Sequence, residues 1–230
     1  MSDDDRARAA AAGVVAGWIE PDTTIGLGSG RAVRAVIAAL AERWPGGAPL
    51  RAAVASRSSD AAAREAGIEI VSLGSALPLA MVVDGADEVD PELQLLKGGG
   101  GALLHEKVLA DAGGGLVVVA EEVKHVARLG VAHLLPIEVV RFGWEVTAGR
   151  VAGLLAPPVL RADSGGEPFV TEEGHLLLDT PLGEVDDLHA LAGRLSALPG
   201  VVEHGLFLDM ARAVVLGRPD GTAEVLGQAP

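Results

Sequence analysis

Three short stretches carry the groups in this chain that could do chemistry. Asp84-Gly85-Ala86-Asp87-Glu88-Val89-Asp90 crowds carboxylates directly after an apolar run. Such a cluster suits a solvated acidic loop, a helix start that favours negative charge, or a hard-cation site with oxygen ligands. The cation reading is the weakest, because calcium-loop spacing is missing and Lys97 competes for the charge. Lys97-Gly98-Gly99-Gly100-Gly101-Ala102-Leu103-Leu104-His105-Glu106-Lys107 follows. Consecutive glycines cost conformational entropy and usually mark a flexible linker. Here they lie between a strand-like segment at 93–96 and an amphipathic helix, where exposed backbone N–H groups can line a pocket and hold an anionic oxygen. Glu106 shares a helical stripe with Leu103 and Ala110, which places its carboxylate at the edge of a buried face. His105 diverges from it, and none of His105, His125, His133, His175, His189 and His204 has metal-ligand spacing. The third stretch is Gly26-Leu27-Gly28-Ser29-Gly30-Arg31, a glycine loop ahead of a helix that suits a phosphate or a simple tight turn. Neither the dinucleotide fingerprint nor a Walker loop fits it.

The elements that must hold these stretches show in the hydrophobic pattern. Val14, Val15, Trp18 and Ile19 recur at helical spacing before Pro21, and Val33, Val36, Ile37 and Leu40 do the same after the glycine loop. Apolar segments at 24–27, 52–55, 68–71, 79–83 and 116–120 alternate with helix formers such as 60–66. That alternation predicts an α/β protein: a Rossmann-like parallel sheet with helices on both faces. Ligands collect at the carboxyl ends of such strands, where the loops at 28–30, 56–59 and 84–87 should share one rim. After about Val131 prolines and glycines shorten the segments, which predicts a smaller α+β domain over 133–204 inserted before C-terminal segments that complete a first domain of 1–132 and 205–230. Within it, Val170 and Thr171 should pair with 176–178 across Gly174, and a helix over 187–198 should start at an Asp186 N-cap and stop at Pro199-Gly200. The segments at 205–208 and 213–216 should rejoin the first sheet. The smaller domain is expected to carry oligomer contacts and part of the rim.

Composition narrows the function classes. With 230 residues, 49% of them hydrophobic, the chain can bury a sizeable core. A net charge of -14 repels a phosphate backbone, so neither DNA nor RNA is expected as a partner. The absence of cysteine removes disulfides, thiolate metal sites and a cysteine nucleophile, and suits a reducing, cytoplasmic compartment. The early alanine-rich run follows Asp3, Asp4 and Asp5 and is broken by Gly13 and Gly17, so it is expected as a helix and not a leader. No apolar run approaches the length of a membrane span.

Taken together, these stretches resemble ribose-5-phosphate isomerase of type A. The resemblance is densest in Asp84-Gly85-Ala86-Asp87-Glu88, Lys97-Gly98-Gly99-Gly100 and Glu106-Lys107, and it extends through Ser56 to Ser59, Lys124, Pro136-Ile137-Glu138-Val139, Pro199-Gly200-Val201-Val202 and Gly205-Leu206-Phe207. It implies an aldose-ketose isomerase that interconverts ribose 5-phosphate and ribulose 5-phosphate through an enediolate, without metal or organic cofactor, commonly as a homodimer. On this resemblance Glu106 is the base, Asp84 and Asp87 the paired aspartates, and Lys97 the ammonium beside the reacting oxygens. Ser29, Gly30, Arg31 and Ala32 match the phosphate loop, Lys124 a further substrate contact, and Gly85, Ala86, Gly98, Gly99 and Gly100 line the substrate. The family usually has Thr-Gly-Ser-Thr where this chain has Ser29-Gly30-Arg31-Ala32, and a serine where it has Ala55. Two hydroxyls are lost and a guanidinium gained; Arg8, where a lysine is common, is expected to add charge toward the phosphate. The alternatives are a sugar-phosphate-binding relative without turnover, an amino-sugar deaminase or CoA-transferase relative, and a metal hydrolase built on Asp84, Asp87 and Asp90.

Overall fold

A parallel sheet accounts for the first half of the chain. The computed structural model describes residues 1–229 and divides into two compact units. The first comprises Met1–Ala86, His105–His125 and the chain from Asp209 on. Its seven strands run in the order Ala223–Gly227, Ala211–Gly217, Leu116–Glu121, Met81–Gly85, Thr24–Leu27, Arg51–Val54, Glu69–Ile70. Every neighbouring pair is parallel except Ala223–Gly227 with Ala211–Gly217.

Helices cover both faces, as side-chain alternation along Thr24–Leu27 shows. Ile25 and Leu27 join the core formed with Ala11, Ala12 and Val15 of the helix Asp3–Trp18 and Val33, Val36, Ile37 and Leu40 of the helix Gly30–Arg43. Gly26 points the other way, where a Cβ would press on Leu109 of the helix Leu103–Ala112. The first helix is started by a reciprocal box between Ser2 and Asp5, with three aspartates in its first turn. Its alanines let it lie close on the sheet: a side chain at Gly217 would collide with the carbonyl of Ala7.

The second unit comprises Asp87–Leu104 and Val126–Leu208. An antiparallel sheet in the order Val201–His204, Leu135–Val139, Leu176–Thr180, Val159–Leu160 buries Leu135, Ile137, Val139, Leu176 and Leu178 against Leu191 and Leu195 of the helix Leu188–Ser196. A second sheet of three strands, Leu206–Phe207, Leu95–Leu96 and Glu88–Val89, is antiparallel throughout.

Several expectations need correction here. The segment at 205–208 does not rejoin the large sheet: Leu206–Phe207 pairs with Leu95–Leu96, and only Ala211–Gly217 returns, beside Leu116–Glu121. That pairing also draws 87–104 into the second unit, so the compact units divide elsewhere than at 132 and 204. Two-residue strands carry too little periodicity to be assigned from sequence. The helix Leu188–Ser196 is capped by Asp187, whose side chain accepts from the Ala190 N–H, and not by Asp186. Val170 meets Leu176 in a single bridge, because Leu176–Thr180 spends its pairing on Leu135–Val139 and Val159–Leu160. The terminal strand Ala223–Gly227 was not anticipated.

Candidate active site

The rim expected from the parallel sheet exists within the first unit. Asp84 is the penultimate residue of the strand Met81–Gly85 and is 1% exposed; its Oδ1 accepts the backbone N–H groups of Ser29, at 3.0 Å, and Gly85, at 2.8 Å. Gly28 makes room for this: a Cβ there would overlap all three atoms of the Asp84 carboxylate. Ser29 Oγ donates to Ser56 Oγ at 3.0 Å, and Ser59 Oγ donates to the Gly28 carbonyl at 2.7 Å. The loops after three adjacent parallel strands are thereby stitched together.

Ser29 precedes the helix Gly30–Arg43 but places no side-chain cap on it. Its hydroxyl is committed to Ser56 instead, and a helix start of this kind can accept an anion. Ala32 is buried and packs beneath Gly85, while the Arg31 side chain lies on the surface.

Glu106 occupies the buried stripe anticipated with Leu103 and Ala110; it is 6% exposed and its Oε2 is shut off from solvent. His105 turns elsewhere, its Nδ1 lying 3.1 Å from the Ala55 carbonyl. Divergence of neighbouring helical side chains produces this split.

Arg8 and Lys124 meet at one carboxylate. Arg8, buried, binds Glu121 directly and Asp5 at 2.9 Å, while Lys124 Nζ lies 3.3 Å from Glu121 Oε2 and donates to the Ala86 carbonyl at 2.7 Å. Burial pushes the Glu121 carboxyl up, but Lys124 and then Arg8 outweigh it and hold it below its ordinary value. Both expected substrate contacts are therefore anchored by protein carboxylate, and Lys124 also pins the backbone that follows Asp84 and Gly85.

The second unit holds Asp87, Lys97 and the glycine run. Lys97 is 3% exposed, with its ammonium 5.3 Å from the centre of the Phe207 ring. Its N–H donates to the Gly205 carbonyl at 2.9 Å. The glycines form a turn, not a linker: the Gly101 N–H donates to the Gly98 carbonyl at 3.0 Å, and Gly98 and Gly101 take φ of +103° and +83°. A Cβ on Gly98 would strike Leu103, and one on Gly101 would strike Phe169. Asp87 Oδ2 accepts the Gly99 N–H at 2.8 Å.

The remaining acids of the cluster have structural work. Glu88, fully buried, accepts the N–H groups of Ala132 and His133, each at 2.7 Å. Asp90 Oδ1 accepts those of Glu92, at 3.0 Å, and Gln94, at 2.8 Å. Among the described residues, no group of three or more His, Asp or Glu is arranged to hold a metal ion.

The family model described as ribose 5-phosphate isomerase A (phosphoriboisomerase A) matches residues 52–221. Ribose-5-phosphate isomerase A of Roseiflexus castenholzii is 44% identical over 225 residues, which is 97% of this chain and 96% of that protein. The chain belongs to the ribose 5-phosphate isomerase A family. Its fold agrees. A D-ribose-5-phosphate isomerase solved in complex with phospho-erythronic acid superposes with a TM-score of 0.93 at 31% identity, covering 99% of this chain and 100% of that one. The ribose 5-phosphate isomerase A from Neisseria gonorrhoeae gives 0.89 at 30% identity, covering 99% and 98%.

Within this ribose 5-phosphate isomerase A fold, sequence reasoning missed two residues that organise the expected site. Glu121 lies one residue past the apolar run expected as a strand at 116–120, and Arg161 lies in a stretch without periodicity. Arg161 pairs with Asp179 through two hydrogen bonds, at 2.8 and 2.5 Å, and donates to the carbonyls of Gly98, at 2.9 Å, and Gly99, at 3.2 Å. No local signal marks such a contact, because Leu178 and Asp179 reach Leu160 and Val159 only through antiparallel pairing.

Proposed function

We propose that this protein interconverts D-ribose 5-phosphate and D-ribulose 5-phosphate by shuttling one proton between C1 and C2. Membership of the ribose 5-phosphate isomerase A family across nearly the whole chain carries this reading, and the burial of Glu106, Asp84 and Lys97 supports it. Carbon-bound hydrogen beside a carbonyl is weakly acidic, so its removal needs a positioned base and stabilisation of the oxygen that gains charge.

In the open-chain aldose, Glu106 takes the C2 proton and the electron pair moves onto the C1 oxygen, giving an enediolate. The same carboxyl returns that proton to C1 while the O2 proton shifts toward O1, leaving a C2 ketone. Lys97 and the Gly100 N–H bear the oxyanion charge, since the N–H groups of Gly99 and Gly101 are held by Asp87 and the Gly98 carbonyl. Asp84 assists ring opening and hydroxyl proton transfer, and Asp87 orients the sugar through its hydroxyls. The uncapped first turn at Ser29 to Ala32 takes the phosphate, with Arg8 and Lys124, both held on Glu121, as further substrate contacts. No step in this scheme calls for a metal or an organic cofactor.

A homodimer in the cytoplasm completes the proposal. Phe142 and Val146, 95% and 63% exposed, offer apolar surface for a second copy, and a cysteine-free chain suits a reducing compartment. The direct test is incubation with ribose 5-phosphate plus a chelator, following ketose formation. Turnover unaffected by the chelator is expected. Binding without turnover, or activity abolished by chelation, would refute the reading.

A further inference from the structure

We infer that Arg161 is a positioning residue that locks the glycine turn in its working orientation; this inference rests on the isomerase reading and concerns the oxyanion-stabilising part of it. Arg161 spans two partners. One edge of its guanidinium grips both oxygens of Asp179, and Nη1 donates to the successive carbonyls of Gly98 and Gly99. A planar fork is suited to this double duty, whereas an ammonium supplies only a point charge.

The consequence follows from the trans peptide bond, in which C=O and N–H point in opposite directions. Holding the Gly98 carbonyl toward Arg161 directs the Gly99 N–H away from it, and that N–H meets Asp87 Oδ2 at 2.8 Å. Holding the Gly99 carbonyl likewise directs the Gly100 N–H away from the guanidinium. Arg161 therefore fixes one peptide that places Asp87 and a second whose donor is aimed for substrate oxygen. Glycine peptides need such restraint, because they rotate more freely than any others.

The surroundings hold the clamp. Arg161 and Asp179 are mostly buried, at 15% and 18% side-chain exposure. The Phe169 ring lies 6.0 Å from the guanidinium carbon and closes on Gly101, where a Cβ would meet it. The turn is thus held at its carbonyls by Arg161 and at its end by Phe169.

The test compares Arg161→Met, Arg161→Lys and Asp179→Asn with wild type, using ribose 5-phosphate turnover and hydrogen exchange at the Gly99 amide. A misplacement of about 1 Å costs ~10² in rate, so Arg161→Met should lose kcat by roughly 30- to 100-fold with KM changed less than about 3-fold. Arg161→Lys should recover little of that loss, and Asp179→Asn should lose less than either because the guanidinium remains. Gly99 exchange should speed at least about tenfold in Arg161→Met, as expected for an amide released from a fixed partner. A purely structural role would lower thermal stability and leave kcat per folded molecule intact, which would overturn the inference. So would unchanged Gly99 exchange in all three variants. If wild type itself lacked isomerase activity, the proposed function would fail, while the exchange data would still judge the clamp.

Discussion

Replacing Gly28 with alanine tests whether Asp84 is placed by backbone clearance as well as by hydrogen bonds. The added Cβ would come closer than 3.0 Å to Cγ, Oδ1 and Oδ2 of Asp84, where ordinary contact begins at 3.4 Å. Gly28 does not take a positive φ, so alanine suffers no backbone strain and the effect isolates the collision. The carboxylate must retreat by about 1 Å, a displacement that typically costs ~10² in rate. Retreat also breaks the bond from the Ser29 N–H to Asp84 Oδ1, loosening the start of the expected phosphate loop. Overpacking of this kind destabilises by about 1–3 kcal/mol, so most molecules should remain folded. The assay is ribose 5-phosphate turnover normalised to folded protein. kcat/KM should drop about a hundredfold, on the same basis of carboxylate misplacement. An alanine variant with wild-type kcat/KM would show that Asp84 is not held where the reaction needs it.

Two other perturbations bear on the frame. Gly13 and Gly17 sit on the exposed face of the helix Asp3–Trp18 with open space where a Cβ would go. Alanine at either should add about 0.5–1 kcal/mol, raise Tm by a few degrees and leave turnover unchanged; a lower Tm would mean these glycines serve packing. Glu121→Gln removes one of the two carboxylates on buried Arg8 and, with Asp5 still in place, should cost about 1–2 kcal/mol at neutral pH. Because the folded carboxyl titrates below its ordinary 4.5, its stabilisation is full above that pH and is lost as pH falls through the lowered value. The Tm curves of wild type and variant should therefore converge in acid. Curves that stay parallel from neutral to acid pH would contradict the pairing.

How much of this was legible in the sequence depended on the range of the signal. Val33, Val36, Ile37 and Leu40 gave the helix after the glycine loop, and the alternation of apolar runs with helices gave the parallel sheet; both are local and strongly periodic. The rim at Ser29, Ser56 and Asp84 followed from where parallel strands end. Glu106 was placed on its buried stripe by spacing alone. What stayed hidden was set by pairing between distant two-residue strands. Leu206–Phe207 adding to Leu95–Leu96 fixes Lys97 beside Phe207, yet neither segment is long enough to show a period. Arg161 was hidden for the same reason, since its partners lie far off in sequence and are fixed by the antiparallel sheet. Arg8 was read as a phosphate anchor from its position, and only the fold revealed the carboxylates that already hold it.

The account depends most on Glu106 carrying the carbon-bound proton. Ribose 5-phosphate incubated with the protein in heavy water, followed by NMR of the C2 position, measures that transfer directly. Wild type is expected to exchange the C2 hydrogen and form ketose, whereas Glu106→Gln should be slower in both by at least ~10² while still binding ribose 5-phosphate. Exchange at the wild-type rate in Glu106→Gln would contradict the assignment.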